Sequence, residues 1–199
     1  MMRGFADRLE TDLAALVEHV RPSMVRIEVD GVGTGSGTVW GNGVLVTNAH
    51  VAAQKPLLVE TEAGHRLPAR LVGVDRKYDL AVLEVKNESI DWSPMPLGDV
   101  ISCKPGELVF SMGHPWGNQD GFTIGVLIGL EQRRLRGRND SSEWIAASLH
   151  LRPGHSGGPM FDSRGRLLGL NTMMQGLDVG VAVPVYKVEN FVRRIVRSI

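Results

Sequence analysis

Cysteine is almost absent from this sequence: Cys103 stands alone. No disulfide can form within the chain, which excludes a small secreted scaffold held by bridges. Net charge is also lacking, because 22 basic residues balance 22 acidic ones. That balance gives no reason to expect nucleic acid or an acidic membrane surface as a partner, although "EQRRLRGR" and "RRIVR" are local basic runs. Long apolar runs are missing too. No segment approaches the roughly 20 apolar residues of a membrane span, and the opening "MMRGFADRLETDL" has no apolar signal core. A soluble cytoplasmic protein is the expectation; a piece of a longer exported protein would read the same.

What is present is turn chemistry and a core. The chain has 199 residues, 43% of them hydrophobic, with 24 glycines and 10 prolines. That length fits one large domain or two small fused ones, large enough to be stable without staples. Residues 1–21 read as an amphipathic helix: Phe5, Leu9, Leu13, Leu16, Val17 and Val20 share one face, and Pro22 ends it. That face is expected to pack on the body of the same subunit. From Met24 the pattern changes to short apolar runs bounded by Gly, Pro or Asn, from "MVRIEV" to "GVAVP". No long helical pattern intervenes, which argues against a parallel sheet and for two antiparallel barrels or a sandwich. The turn-rich stretch near residues 86 to 107 reads as the crossing between two halves, about 22–90 and 106–184. Residues 185–199 return to a helical period, with Val185, Val188, Val192, Ile195 and Ile199 along one side. This last helix is expected to close the barrel.

The stretch "RPGHSGGPMF", Arg152 to Phe161, surrounds Ser156 with glycine and proline. By itself it reads equally as a tight turn between strands or as a scaffold for a nucleophile. A serine hydroxyl needs a base and an orienter to attack anything. Among six histidines, His50 in "VLVTNAHVAA" follows an apolar strand and sits in a small-residue turn; a structural histidine would look the same. "DRKYDLAVLEV" offers Asp75 and Asp79. Asp79 directly precedes an apolar strand, whereas Asp75 reads as the cap of the preceding turn.

"TNAHV", "DLAVL" and "GHSGGP", in that order, resemble the chymotrypsin-fold serine proteases, and within them the HtrA/Deg branch. "GSGTVW", "GHPWG", "LLGLNT" and "GVAVPV" extend the resemblance from about Pro22 to the C-terminal helix. It implies two six-stranded barrels with the site at their junction. His50 would be the base, Asp79 the orienter and Ser156 the nucleophile. Gly154, His155 and Ser156 would carry the oxyanion hole, with N–H groups from Gly154 and Ser156. Ser148, His150, Leu151, Asn171, Thr172, Met173 and Met174 would border the substrate pocket, although the methionines read equally as ordinary core. No aspartate stands six residues before Ser156; His150 does. The expected substrate therefore carries a small or medium apolar residue before the cleaved bond, in an unfolded or flexible polypeptide. No metal or cofactor is expected.

The sequence also departs from the family pattern. His155 stands where the family usually has Asn, and "AASLHLRPG" replaces the usual form of the preceding loop. The chain is expected to be a protease domain without a PDZ domain, and either a trimer, as is frequent in the family, or a monomer. An inactive or chaperone-like peptide-binding module on the same fold is the competing expectation. An esterase is disfavoured: its elbow would place acid and histidine after the serine, and here both precede Ser156.

Overall fold

The computed structural model describes residues 4–29, 32–53, 56–117, 121–133 and 142–197. Twelve strands form two closed antiparallel barrels. In the first, β1 (Met24–Val29), β2 (Val32–Gly41), β3 (Val44–Asn48), β4 (Leu57–Thr61), β5 (Arg66–Asp75) and β6 (Leu80–Glu84) close in the order β1-β2-β3-β6-β5-β4. In the second, β7 (Leu108–Gly113), β8 (Gly121–Arg133), β9 (Ser142–Ser148), β10 (Pro159–Phe161), β11 (Leu167–Gln175) and β12 (Val179–Pro184) close in the order β10-β11-β12-β9-β8-β7. The expected all-β, chymotrypsin-like double barrel is the one observed.

Each barrel fills itself with its own inward residues. Ile27, Leu45, Val59 and Leu83 are fully buried in the first, and Met112, Met160, Phe161 and Leu167 in the second. A third apolar cluster joins the two barrels. Val46, Leu80 and Val82 of the first meet Trp144, Leu170, Val181 and Val183 of the second. Helix α2 (Val185–Val196) covers this seam with Val188, Phe191 and Val192, all buried. It starts at Pro184, which suits an entry into a helix. Residues 198 and 199, the end of the expected helical face, lie outside the described residues.

Helix α1 (Phe5–Val20) packs only in part. Leu13, Leu16, Val17 and the fully buried Val20 meet the second barrel's core. Phe5 and Leu9, on the same apolar face, are exposed. Periodicity places a residue on a face, but contact depends on where the barrel lies beneath it.

Candidate active site

β3 ends at Asn48, and the chain turns at once, with Val51 and Ala52 N–H donating to the Asn48 carbonyl, each at 3.2 Å. The small residues Ala49 and Ala52 permit this tight turn, and His50 projects from it half-exposed. Asp79 stands beside it at the entrance to β6. Its backbone has φ +55°, a left-handed conformation unusual outside glycine and better tolerated by Asp or Asn than by most residues. The conformation is fixed from both sides. Ala49 N–H at 2.9 Å and Asn48 Nδ2 at 3.0 Å both donate to the Asp79 carbonyl. The carboxylate then receives His50 N–H on Oδ1 at 3.0 Å and His50 Nδ1 on Oδ2 at 2.5 Å. An ionised carboxylate only accepts, so Nδ1 carries the proton and Nε2 offers its lone pair outward. Asp75 takes its other expected role: Oδ1 accepts Lys77 and Tyr78 N–H and caps the turn.

Ser156 comes from the other barrel. The turn before it, Arg152–His155, is closed by His155 N–H donating to the Arg152 carbonyl at 3.0 Å. Pro153 occupies its second position and Gly154, at φ +104°, its third. That is the sequence and geometry of a type II turn; type I would need φ near −90° at Gly154. A Cβ at Gly154 would lie 2.2 Å from the His114 carbonyl oxygen, so the position demands glycine twice over. Gly157 has the same requirement: φ is +82°, and a Cβ would lie 2.1 Å from the Ser36 carbonyl oxygen. The first barrel grips this loop directly. Ser36 N–H donates to the Ser156 carbonyl at 2.8 Å, and Thr38 Oγ1 to the Gly157 carbonyl at 3.1 Å.

Some expected roles change with the coordinates. His155 N–H, expected between the two oxyanion donors, closes the turn on the Arg152 carbonyl. Among the described residues the Gly154 and Ser156 N–H groups have no acceptor in the chain. The His155 ring is buried and lies between Gly113 and Gly121, where a Cβ would come within 3.1 Å of it. Its Nδ1 faces Arg152 N at 3.3 Å and Arg152 O at 3.2 Å. Nε2 is buried without a hydrogen bond of good geometry, although the Gly121 backbone lies near enough to favour protonation. Burial outweighs these backbone groups and holds the imidazole below its ordinary titration range.

Asn171, expected at the substrate pocket, is fully buried. Its Nδ2 donates to Ser111 Oγ at 2.7 Å and Pro159 O at 3.0 Å. Its backbone brackets the nucleophile loop, accepting from Gly157 N–H and donating to the Gly158 carbonyl, both at 2.9 Å. A buried amide N–H needs partners, and those of Nδ2 lie inside the second barrel. Thr172 faces the reacting groups: Oγ1 donates to Asp79 Oδ2 at 3.3 Å, and its carbonyl accepts Ser156 Oγ at 3.2 Å. The serine hydroxyl thus rests on Thr172 O and not on the His50 ring. Leu151 N–H meets Met174 Sδ at 3.1 Å, while Ser148, His150 and Met173 are exposed nearby in sequence. Ser36, Thr38, Thr47 and Asn48, which hold the site together, were not singled out from the sequence. Their signal was polar residues within strands whose neighbours are core.

The arrangement places a carboxylate-bound imidazole on one barrel and a glycine-framed serine hydroxyl on the other. Among the described residues no three His, Cys, Asp or Glu side chains gather to hold a metal ion. The sequence profile of the family "Trypsin-like peptidase domain" matches residues 35–170. The chain is 36% identical over 176 residues to "Protease Do-like 5, chloroplastic" of Arabidopsis thaliana, covering 77% of this chain and 54% of that protein. It is 30% identical over 192 residues to "Serine protease HTRA1B" of Danio rerio, covering 90% of this chain and 40% of that protein. The chain therefore spans about half the length, or less, of these curated relatives. Among solved structures, "Crystal structure of Deg5" is similar with a TM-score of 0.79 and 33% identity, over 92% of both chains. "HtrA-type protease AlgW with decapeptide" shares the fold with a TM-score of 0.84 at 24% identity, over 92% of this chain and 67% of that one.

Proposed function

Because the chain belongs to the trypsin-like peptidase family, in its HtrA/Deg branch, we propose that it is a serine endopeptidase acting on unfolded or flexible polypeptides. The observation that carries this reading is the paired contact of His50 with Asp79, through N–H to Oδ1 and Nδ1 to Oδ2, beside a serine presented across the barrel junction. His50 Nε2 takes the Ser156 proton as Oγ attacks the scissile carbonyl, and the bond to the leaving amine breaks when the imidazolium returns that proton to the amine nitrogen. Water then repeats the sequence on the acyl-enzyme. Asp79 holds the ring in the required tautomer and stabilises the imidazolium. The Gly154 and Ser156 N–H groups receive the oxyanion; a donor of this kind is worth about 3 kcal/mol of transition-state stabilisation. The reaction draws on no metal or cofactor.

For the first step Ser156 Oγ must leave Thr172 O and turn to His50. Leaving Thr172 O gives up one neutral hydrogen bond of 3.2 Å, a small cost. For the residue before the cleaved bond we infer a preference for small or medium apolar side chains, on the absence of an acid six residues before Ser156. Ser156→Ala tests the assignment. It is expected to lower cleavage of an unfolded protein by about 10⁴-fold or more and to abolish covalent labelling by a fluorophosphonate, with an unchanged melting temperature. Cleavage at the native rate by that variant would overturn the assignment. A native protein that neither labels nor cleaves, yet binds unfolded chains, would establish the chaperone-like reading.

A further inference from the structure

We propose that Ser36 and His114 are positioning residues that anchor the oxyanion turn to the first barrel through a single shared proton. The inference rests on the oxyanion role given above to Gly154 and Ser156. Ser36 is fully buried on β2 of the first barrel. Its Oγ lies 2.7 Å from the Gly154 carbonyl oxygen, 3.0 Å from His114 Nδ1 and 2.9 Å from the His114 backbone nitrogen. A serine hydroxyl has one proton to give and two lone pairs to fill. The His114 N–H is necessarily a donor and takes one lone pair. The Gly154 carbonyl has no proton, so a contact of 2.7 Å to it must carry the hydroxyl proton, at the usual length for O–H···O. That leaves the second lone pair for His114 Nδ1, and the Ser36 contacts assign the ring proton to that nitrogen.

The consequence is specific. With Nδ1–H, Ser36 Oγ is saturated and its proton is committed to Gly154 O. In the other tautomer, Nδ1 would claim the Ser36 proton. Gly154 O would then keep only the weaker donation from His114 N–H at 3.2 Å. The Gly154 carbonyl and the His155 N–H belong to one peptide group. Holding that carbonyl against the first barrel keeps His155 N–H on the Arg152 carbonyl, the bond that closes the turn, while Trp116 N–H, donating to the Pro153 carbonyl at 3.1 Å, holds the central peptide that carries the Gly154 N–H. Thr47 Oγ1, donating to the Ser36 carbonyl at 2.6 Å, and Ser36 N–H, donating to Ser156 O, fix Ser36 itself from behind. The clamp thus spans both barrels, with β2 on one side and the segment after β7 on the other.

Two measurements test it. Nitrogen-15 chemical shifts of the His114 ring, at a pH where it is neutral, should show the Nδ1–H tautomer in the native protein and its loss in Ser36→Ala; a native Nε2–H tautomer overturns the clamp. His114→Ala should lower kcat by about tenfold, the equivalent of one hydrogen bond to the turn, with KM changed less than about twofold. His114→Asn places an amide N–H where Nδ1 stands and should recover most of the loss. Equal rates for His114→Ala and the native enzyme, or equal losses for the Ala and Asn variants, overturn the proposal. The tautomer is read on the resting protein, so an inactive native enzyme would sink the proposed activity and leave the shifts to decide the clamp.

Discussion

Asp79 combines a strained backbone with a task that uses both carboxylate oxygens. A left-handed conformation at a non-glycine residue costs on the order of 1–3 kcal/mol unless its surroundings fix it, and here Asn48, Ala49, His50 and Thr172 all donate to that one residue. Asp79→Asn tolerates the same backbone but offers an amide to Nδ1. The ring would then turn its proton to Nε2, and kcat is expected to fall by about 10⁴-fold while the fold persists; rates and melting of the purified variant check this. His155 makes a second prediction. Burial depresses its titration below the ordinary value near 6.5. The unfolded chain therefore binds the proton more readily than the native one. The stability contribution is complete above the unfolded value and is lost as pH falls from there toward the depressed native value. Melting temperatures should drop on acidification below about pH 6.5, and His155→Asn should flatten that slope; identical slopes for both proteins would count against a neutral buried ring.

At the level of elements, helix α2 and the strands under it decide whether the site exists. Phe191 and Val192 press on the seam where Leu80 and Val82 meet Leu170 and Val183. Phe191→Ala should cost about 3–5 kcal/mol through lost burial and the cavity left behind, lowering the melting temperature by about 10 °C; calorimetry reads the loss directly. The strands themselves were legible in the sequence, because turn residues bracket each run. "VLVTN" became β3 and "LAVLEV" supplied β6. Helix α1 was legible as a helix but not in its contacts, since Phe5 and Leu9 repeat the spacing of Leu13 and Val17 and yet stay exposed. The buried polar residues were the least legible part. Ser36, Thr38, Thr47 and Asn171 are fully buried in β-strands, and their partners come from distant segments that no local pattern announces.

Across the whole molecule, the proposed catalytic groups depend on the relative placement of two barrels. His50 and Asp79 ride on the first, Ser156 on the second, and Ser36, Thr38 and Thr172 bind across the gap. Partial separation of the barrels would break these bonds while leaving most of each sheet intact. In a denaturant titration, fluorophosphonate labelling of Ser156 should therefore disappear at or before the midpoint of the far-ultraviolet circular dichroism transition. Labelling that survived beyond the loss of sheet signal would contradict a site built from both halves.

The short strands and the two terminal helices were legible in the sequence, because turn chemistry and residue periodicity act over a few neighbours; His50, Asp79 and Ser156 were singled out by residue type together with the resemblance of their three motifs to the HtrA/Deg proteases. Tertiary structure alone decided that His155 N–H closes a turn, that Asn171 looks inward, that Thr172 ties Asp79 to Ser156, and that Ser36 reaches Gly154. Each of these is a hydrogen bond of fixed direction. Its partner is chosen only when the barrels close and bring residues far apart in the chain to within about 3 Å.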